Sequence, residues 1–146
     1  MRYLIIFLLS LFITSNSYAK VTILECKYVG GFVDVKGKKE YTTREEFNKS
    51  GLNLNMDKVL KIDTRKEEIF RLEYTKFISV KDFTNDFYKK WDDTQIFWSY
   101  YSQRLYDTNT LNRLTGKLVE STYQKSDLKK QLREGVYNCQ EAKKKF

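Results

Sequence analysis

The sequence predicts a mainly β fold: a small antiparallel meander curled into a barrel or half-barrel, with one or two short helices. Three observations point there. Short stretches of alternating polar and apolar residues recur after residue 20, separated by turn-forming residues. No long helical patterns are interleaved with them, which excludes the strand–helix–strand order of a parallel sheet. The chain is also short enough that such a sheet would curl on itself to bury one face.

The N-terminal segment stands apart. Arg2 supplies a positive charge, and Tyr3 to Ile13 is an eleven-residue run that is apolar apart from Ser10 and the amphipathic Tyr3. Small residues, Ser17 and Ala19, precede Lys20 at the −3 and −1 positions that signal peptidase reads. A spanning helix needs about 20 apolar residues. The expected organisation is therefore a signal peptide over 1–19, cleaved between Ala19 and Lys20, and a single mature β-rich domain over 20–146. Cys26 follows Ile23-Leu24-Glu25 rather than small residues, so lipidation is not expected, and no transmembrane span is expected in the mature chain.

Val21 to Val29 alternates, with Leu24, Cys26 and Tyr28 on one face and Glu25 and Lys27 on the other, as in a half-buried strand. Gly30-Gly31 permits a bulge or sharp bend before a second short strand, Phe32 to Val35. Lys36 to Lys39 reads as a charged turn. Thr42 with Glu45, or Thr43 with Glu46, has capping-box spacing; either a short helix to Lys49 or a polar loop follows. Lys58 to Asp63 and Glu68 to Tyr74 form a hairpin across Thr64 to Glu67, and Phe77 to Val80 is another short strand. Between Asp82 and Asp93, the spacing of Phe83, Phe87 and Trp91 predicts a short helix or an ordered loop laying rings over the sheet. Gln95 to Tyr101 returns to strand. Thr108 to Leu114 and Lys117 to Tyr123 are the clearest hairpin, with Gly116 able to take the positive φ of its turn. Val136 to Cys139 is the closing strand, followed by a basic tail to Phe146.

Cys26 and Cys139 are the only cysteines. In an oxidising compartment an even count implies a disulfide, here tying the first strand to the last. A loop this long is stabilised by about 4–5 kcal/mol in the chain-entropy model. A redox pair and metal thiolates are the alternatives, but no C-x-x-C is present. Histidine is absent. That removes Ser-His-Asp and Cys-His catalysis and the commonest metal ligand, and no cofactor is expected. After Ala19 the chain carries 26 Lys and Arg against 19 Asp and Glu, a formal net of +7. Such a charge favours an acidic protein, a glycan or an anionic lipid as partner, with nucleic acid the least favoured. A merely solubilising surface is the plain alternative.

Leu111-Asn112-Arg113-Leu114-Thr115-Gly116-Lys117-Leu118 carries an apolar-[D/N]-R-x-T-G-x-apolar hairpin. A late cysteine and a lysine-rich end follow, Cys139-Gln140-Glu141-Ala142-Lys143-Lys144-Lys145-Phe146. In these features the chain resembles a group of small, uncharacterised exported bacterial proteins. The resemblance implies a small antiparallel β-fold tied by one disulfide, and a periplasmic setting. It implies no biochemical activity.

Twelve of the nineteen aromatic residues after Ala19 fall between Phe70 and Tyr106. Rings stack on sugars and bases. Trp91, Trp98 and Tyr100, with Lys89, Lys90 and Arg104 to hold an anionic group, are therefore the candidate ligand surface. Core packing is the alternative for those rings. Asp92-Asp93 and the pair Asp82 and Asp86 are the clustered carboxylates nearby, of the kind that could act on a glycoside across a cleft. No catalytic residue is assigned. Lys143 to Lys145 with Lys129, Lys130 and Arg133 could form one basic patch. Asn48-Lys49-Ser50 matches a glycosylation sequon of little weight in a bacterial protein. Taken together, the sequence leads to an exported periplasmic or secreted protein, a non-enzymatic binding or interaction module. The second hypothesis is a hydrolase acting on an envelope glycan or other polymer through its carboxylates.

Overall fold

A computed structural model describes residues 20–49 and 57–143. The expected signal at Met1 to Ala19 and the end of the basic tail lie outside the described residues. One antiparallel sheet holds ten strands: β1 (Val21–Val35), β2 (Lys38–Thr43), β3 (Lys58–Asp63), β4 (Glu68–Glu73), β5 (Lys76–Ser79), β6 (Phe87–Trp91), β7 (Gln95–Tyr101), β8 (Leu105–Asn112), β9 (Lys117–Gln124) and β10 (Asp127–Glu141). A six-residue helix, α1 (Arg44–Lys49), and a 3-10 turn at Val80–Phe83 accompany them. The sheet curls into a half-barrel, as the alternation predicts.

The curl follows from the order β5-β4-β3-β1-β10-β9-β8-β7-β6, with β2 beside β1. β1 is long enough to hold two partners on one edge: Val21 to Cys26 pairs with β3, and Gly30 to Val35 pairs with β2. β2 and β3 thus act as one broken strand. The chain is then an up-and-down meander whose last strand returns beside its first. Nine strands lie along that row, all paired antiparallel, so its two ends, β5 and β6, run in the same direction. They cannot close as a hairpin. The connecting segment runs back through the opening between them. Val80 is buried in the core, the Arg71 guanidinium lies 4.9 Å from the Phe83 ring, and the Thr84 hydroxyl donates to the Tyr101 carbonyl at 2.7 Å. Ion pairs add to this seal, Lys81 with Glu68 at 3.2 Å and Lys89 with Glu67 at 3.5 Å.

Where β1 changes partner, Tyr28 would be left without a strand neighbour on that edge. Asp57 accepts the Tyr28 N–H at 3.0 Å, and Arg44 donates to the Tyr28 carbonyl at 3.1 Å. Arg44 and Asp57 are themselves doubly bonded, at 2.7 and 2.9 Å. This pair stands in for the missing strand residue and satisfies both backbone groups. The same region shows which capping spacing is used. The Thr43 N–H donates to Glu46 at 2.8 Å and the Glu46 N–H to the Thr43 hydroxyl at 3.1 Å, a reciprocal capping box on α1.

Cys26 and Cys139 face each other across β1 and β10 and are joined by a disulfide. The Cys139 N–H points away, to the Gly116 carbonyl at 2.8 Å. The cysteines are therefore a non-hydrogen-bonded pair, the arrangement in which opposed strands come closest, and their Cα atoms are 3.9 Å apart. Gly116 has φ 71°, and a Cβ there would lie 2.2 Å from the Cys139 carbonyl oxygen. The turn and the bridge constrain one another.

Several expectations change. Phe83, Phe87 and Trp91 lie on a 3-10 turn and a strand, not on a helix. A spacing of four is even, so it also keeps Phe87 and Trp91 on one strand face. β1 runs unbroken through Gly30-Gly31, the bend being a bulge where the register passes from Tyr28–Tyr137 to Gly30–Val136. Lys38 and Lys39 open β2; the turn is Lys36-Gly37 alone, at φ 54° and 86°, as a tight two-residue hairpin requires. β10 begins at Asp127, well before Val136.

Candidate functional site

Strand alternation sends every second residue inward, and the register aligns these residues in rows from β10 to β6. Tyr137, Leu118, Leu111, Ile96 and Trp91 form one row. Gly135, Glu120, Asn109, Trp98 and Lys89 form the next, and Arg133, Thr122, Asp107, Tyr100 and Phe87 the third. On the other wing, Lys58 faces Cys26, and Leu60 lies between Leu24 and Arg71. The interior therefore changes character along the strands. Around the first row, with Leu60, Ile62 and Ile69, it is an apolar core. Beyond it, charges and phenols take over.

Lys58 and Glu120 meet in an ion pair whose side chains are only 19% and 16% exposed. The Tyr137 hydroxyl donates to Glu120 at 3.4 Å. The neighbours orient the Asn109 amide: its nitrogen donates to Glu120 at 3.2 Å and its oxygen accepts the Trp98 indole N–H at 3.3 Å. Among the described residues no buried side-chain nitrogen or oxygen lacks a partner. Burial pushes the Lys58 pKa down, against the opposing pull of Glu120. Burial, then the Glu120 charge, pushes the Tyr137 hydroxyl up; burial, then Asp107, does the same to Tyr100. Asp107 accepts the Thr122 hydroxyl at 2.6 Å, and Arg133 reaches that hydroxyl at 3.4 Å.

A cavity of about 500 Å³ opens at this end of β3 and β4, with Asp57, Lys58, Arg71, Glu73 and Tyr74 on its walls. Arg71 is paired with Glu73. Tyr74, 99% exposed, stands at the rim. Both signs of charge thus line the mouth, held in place by pairing.

Of the six residues expected to form a ligand surface, Lys89, Trp91, Trp98 and Tyr100 share the inner face. Trp98 is 3% exposed and belongs to the core, Trp91 packs against it, and Lys89 is drawn to Glu67. Lys90 faces outward, and Arg104 lies in the β7–β8 turn. Trp98, Lys89 and Tyr100 fall in the polar rows, but Trp98 is buried and Lys89 paired, and with Lys90 facing outward and Arg104 in a turn the six make no common surface. The Asp92 carboxylate shapes the β6–β7 turn, accepting the Thr94 N–H and hydroxyl and the Gln95 N–H at 2.8–2.9 Å. Those bonds hold its pKa below the ordinary carboxylate range, which ill suits proton delivery. Asp82, Asp86 and Asp93 are exposed. Arg113, from the T-G hairpin, donates to the Asp92 carbonyl at 2.7 Å and its N–H to the Thr94 carbonyl at 2.8 Å. The motif clamps two adjacent turns together. Lys129 lies near the start of β10 and Lys143 just past its other end, so these two do not adjoin; Lys144 and Lys145 of the expected basic patch lie outside the described residues.

Sequence reasoning passed over Lys58, Arg71, Asn109, Asp107 and Glu120. One signal could have found them. Each occupies the parity of a buried apolar neighbour: Lys58 with Leu60, Arg71 with Ile69, Asn109 and Asp107 with Leu111, Glu120 with Leu118.

No family model, curated protein or solved structure matches the chain. Among the described residues no helix is long and apolar enough to cross a membrane, and no three His, Cys, Asp or Glu gather to hold a metal ion.

Proposed function

We propose that this chain is an exported, non-enzymatic binding module, working in the periplasm or outside the cell, that takes a glycan at the polar end of its half-barrel. The observation that carries the proposal is the cavity of about 500 Å³ set against preformed pairs, Lys58–Glu120 and Arg71–Glu73. Ligand sites commonly fall in this range of volume and in the mouths of β-barrels. Sugar hydroxyls both donate and accept, and fixed groups of both kinds meet them with little reorganisation. Buried ion pairs can often be replaced by apolar residues with no loss of stability. The presence of the Lys58–Glu120 pair beside an open mouth supports a task beyond folding. The Cys26–Cys139 bridge and the signal-like segment Met1 to Ala19 support an oxidising destination.

Titrating the chain from Lys20 onward with solubilised envelope glycan fragments is expected to give a saturable change in tryptophan fluorescence, since Trp98 touches the polar rows through Asn109. Tyr74→Ala is expected to weaken binding several-fold at an unchanged melting temperature. The absence of saturation with any fragment would overturn the proposal.

A further inference from the structure

Arg133 differs from the other inward cations. Lys58 is matched by Glu120, and Arg71 by Glu73. Arg133 makes one long bond, 3.4 Å, to a hydroxyl already donating to Asp107 at 2.6 Å. None of the ion pairs among the described residues includes it. It is exposed, and so reachable, and it shares the inward strand face of Gly135 and Tyr137. The guanidinium therefore stands on the inner face of β10, beside Thr122. A planar fork with donors to spare in such a place suits a carboxylate, which it can hold through two parallel bonds.

We infer that the ligand is an acidic saccharide and that Arg133 anchors its carboxylate. The inference rests on the binding-module proposal above and narrows it. The row running from Arg133 lies outside the walls of the cavity at β3 and β4 and extends the site across β10 to β7. Asp107, which the buried Thr122 hydroxyl already bonds, offers its carboxylate to sugar hydroxyls, and Tyr100 ends the polar stretch with a ring. Three inter-strand steps separate Arg133 from Tyr100, about 14 Å along the sheet. An oligosaccharide fits that span better than a single sugar. The surplus of basic residues over the whole chain would draw an anionic ligand towards the molecule.

The test is calorimetric titration of the chain from Lys20 onward with three probes: a short uronate oligosaccharide, its carboxyl-reduced neutral counterpart, and anionic phospholipid vesicles. The uronate is expected to bind about ten-fold or more tightly than the neutral form, as loss of one charge-assisted pair implies. Arg133→Gln should remove that advantage, Arg133→Lys should restore part of it, and neither should change the melting temperature. Equal affinity for the two saccharides, or uronate binding indifferent to Arg133→Gln, would overturn the acidic anchor and leave the mouth as a binding site. Binding of neither saccharide, or of vesicles alone, would overturn both.

Discussion

Asp57 and Lys58 are adjacent in the chain and do opposite kinds of work. Asp57 substitutes for a strand residue, accepting the Tyr28 N–H and pairing with Arg44. Asp57→Ala should destabilise the fold by about 1–3 kcal/mol, the range for a backbone donor left without its acceptor. The Arg44 pairing, followed by the Tyr28 N–H, holds the folded pKa of Asp57 below its ordinary value, against the opposing effect of burial. Its contribution is therefore complete above the unfolded carboxylate value, about 4, and is lost as pH falls through the lower folded value. Urea denaturation at neutral and acid pH should show a shallower acid loss in Asp57→Asn than in the native chain. Lys58 turns inward instead, to Glu120. Lys58→Met leaves a carboxylate short of its partner and should cost about 3 kcal/mol, the lower end for a broken buried pair, because Tyr137 and Asn109 still bond Glu120. Lys58→Met with Glu120→Gln removes both charges and should cost clearly less. Denaturation midpoints of the single and double variants check this.

Among the elements, the β8–β9 hairpin is the most constrained. Asn112 accepts the N–H groups of Leu114 and Thr115 at 3.0 and 2.8 Å, and Gly116 takes the left-handed position beside Cys139. Gly116→Ala should destabilise by more than the 1–2 kcal/mol of the backbone conformation alone, because its Cβ would meet the Cys139 carbonyl. Thermal unfolding of the variant measures it. This hairpin was legible in advance because Gly116 and the alternation on either side leave little choice of register. β3 and β4 were legible for the same reason. β6 was misjudged because Phe83, Phe87 and Trp91 satisfy a helix and a strand face equally, and the deciding residue, Lys89, is a charge at an inward position. β2, KKEYTT, has almost no apolar alternation; it exists because β1 offers it an edge. The first half of β10 was hidden by register shifts that break its period between Asp127 and Arg133.

For the whole molecule, the curl and the disulfide were readable, and the site was not. Local alternation tells which face a residue takes. It cannot tell that one face is a core at one end and a polar cleft at the other. That distinction arises when distant strands bring Lys58, Glu120 and Tyr137 together, and no segment holds more than one of them. The crowd of rings between Phe70 and Tyr106 drew attention to Trp98, which serves the core, and away from charges spread over β3, β4, β8, β9 and β10. The odd number of strands along the row matters at this scale too. It leaves β5 and β6 parallel, sealed by side chains and a returning segment rather than by a ladder. The central claim is that ligand enters at the polar end. Backbone amide shifts of the isotopically labelled chain from Lys20 onward, followed during titration with a glycan fragment, test it most directly. The account predicts saturable shifts concentrated at Lys58, Arg71, Tyr74, Tyr100, Glu120 and Arg133. Shifts centred instead on the turn at Asn112 to Gly116, or on Lys90 and Arg104, would contradict it.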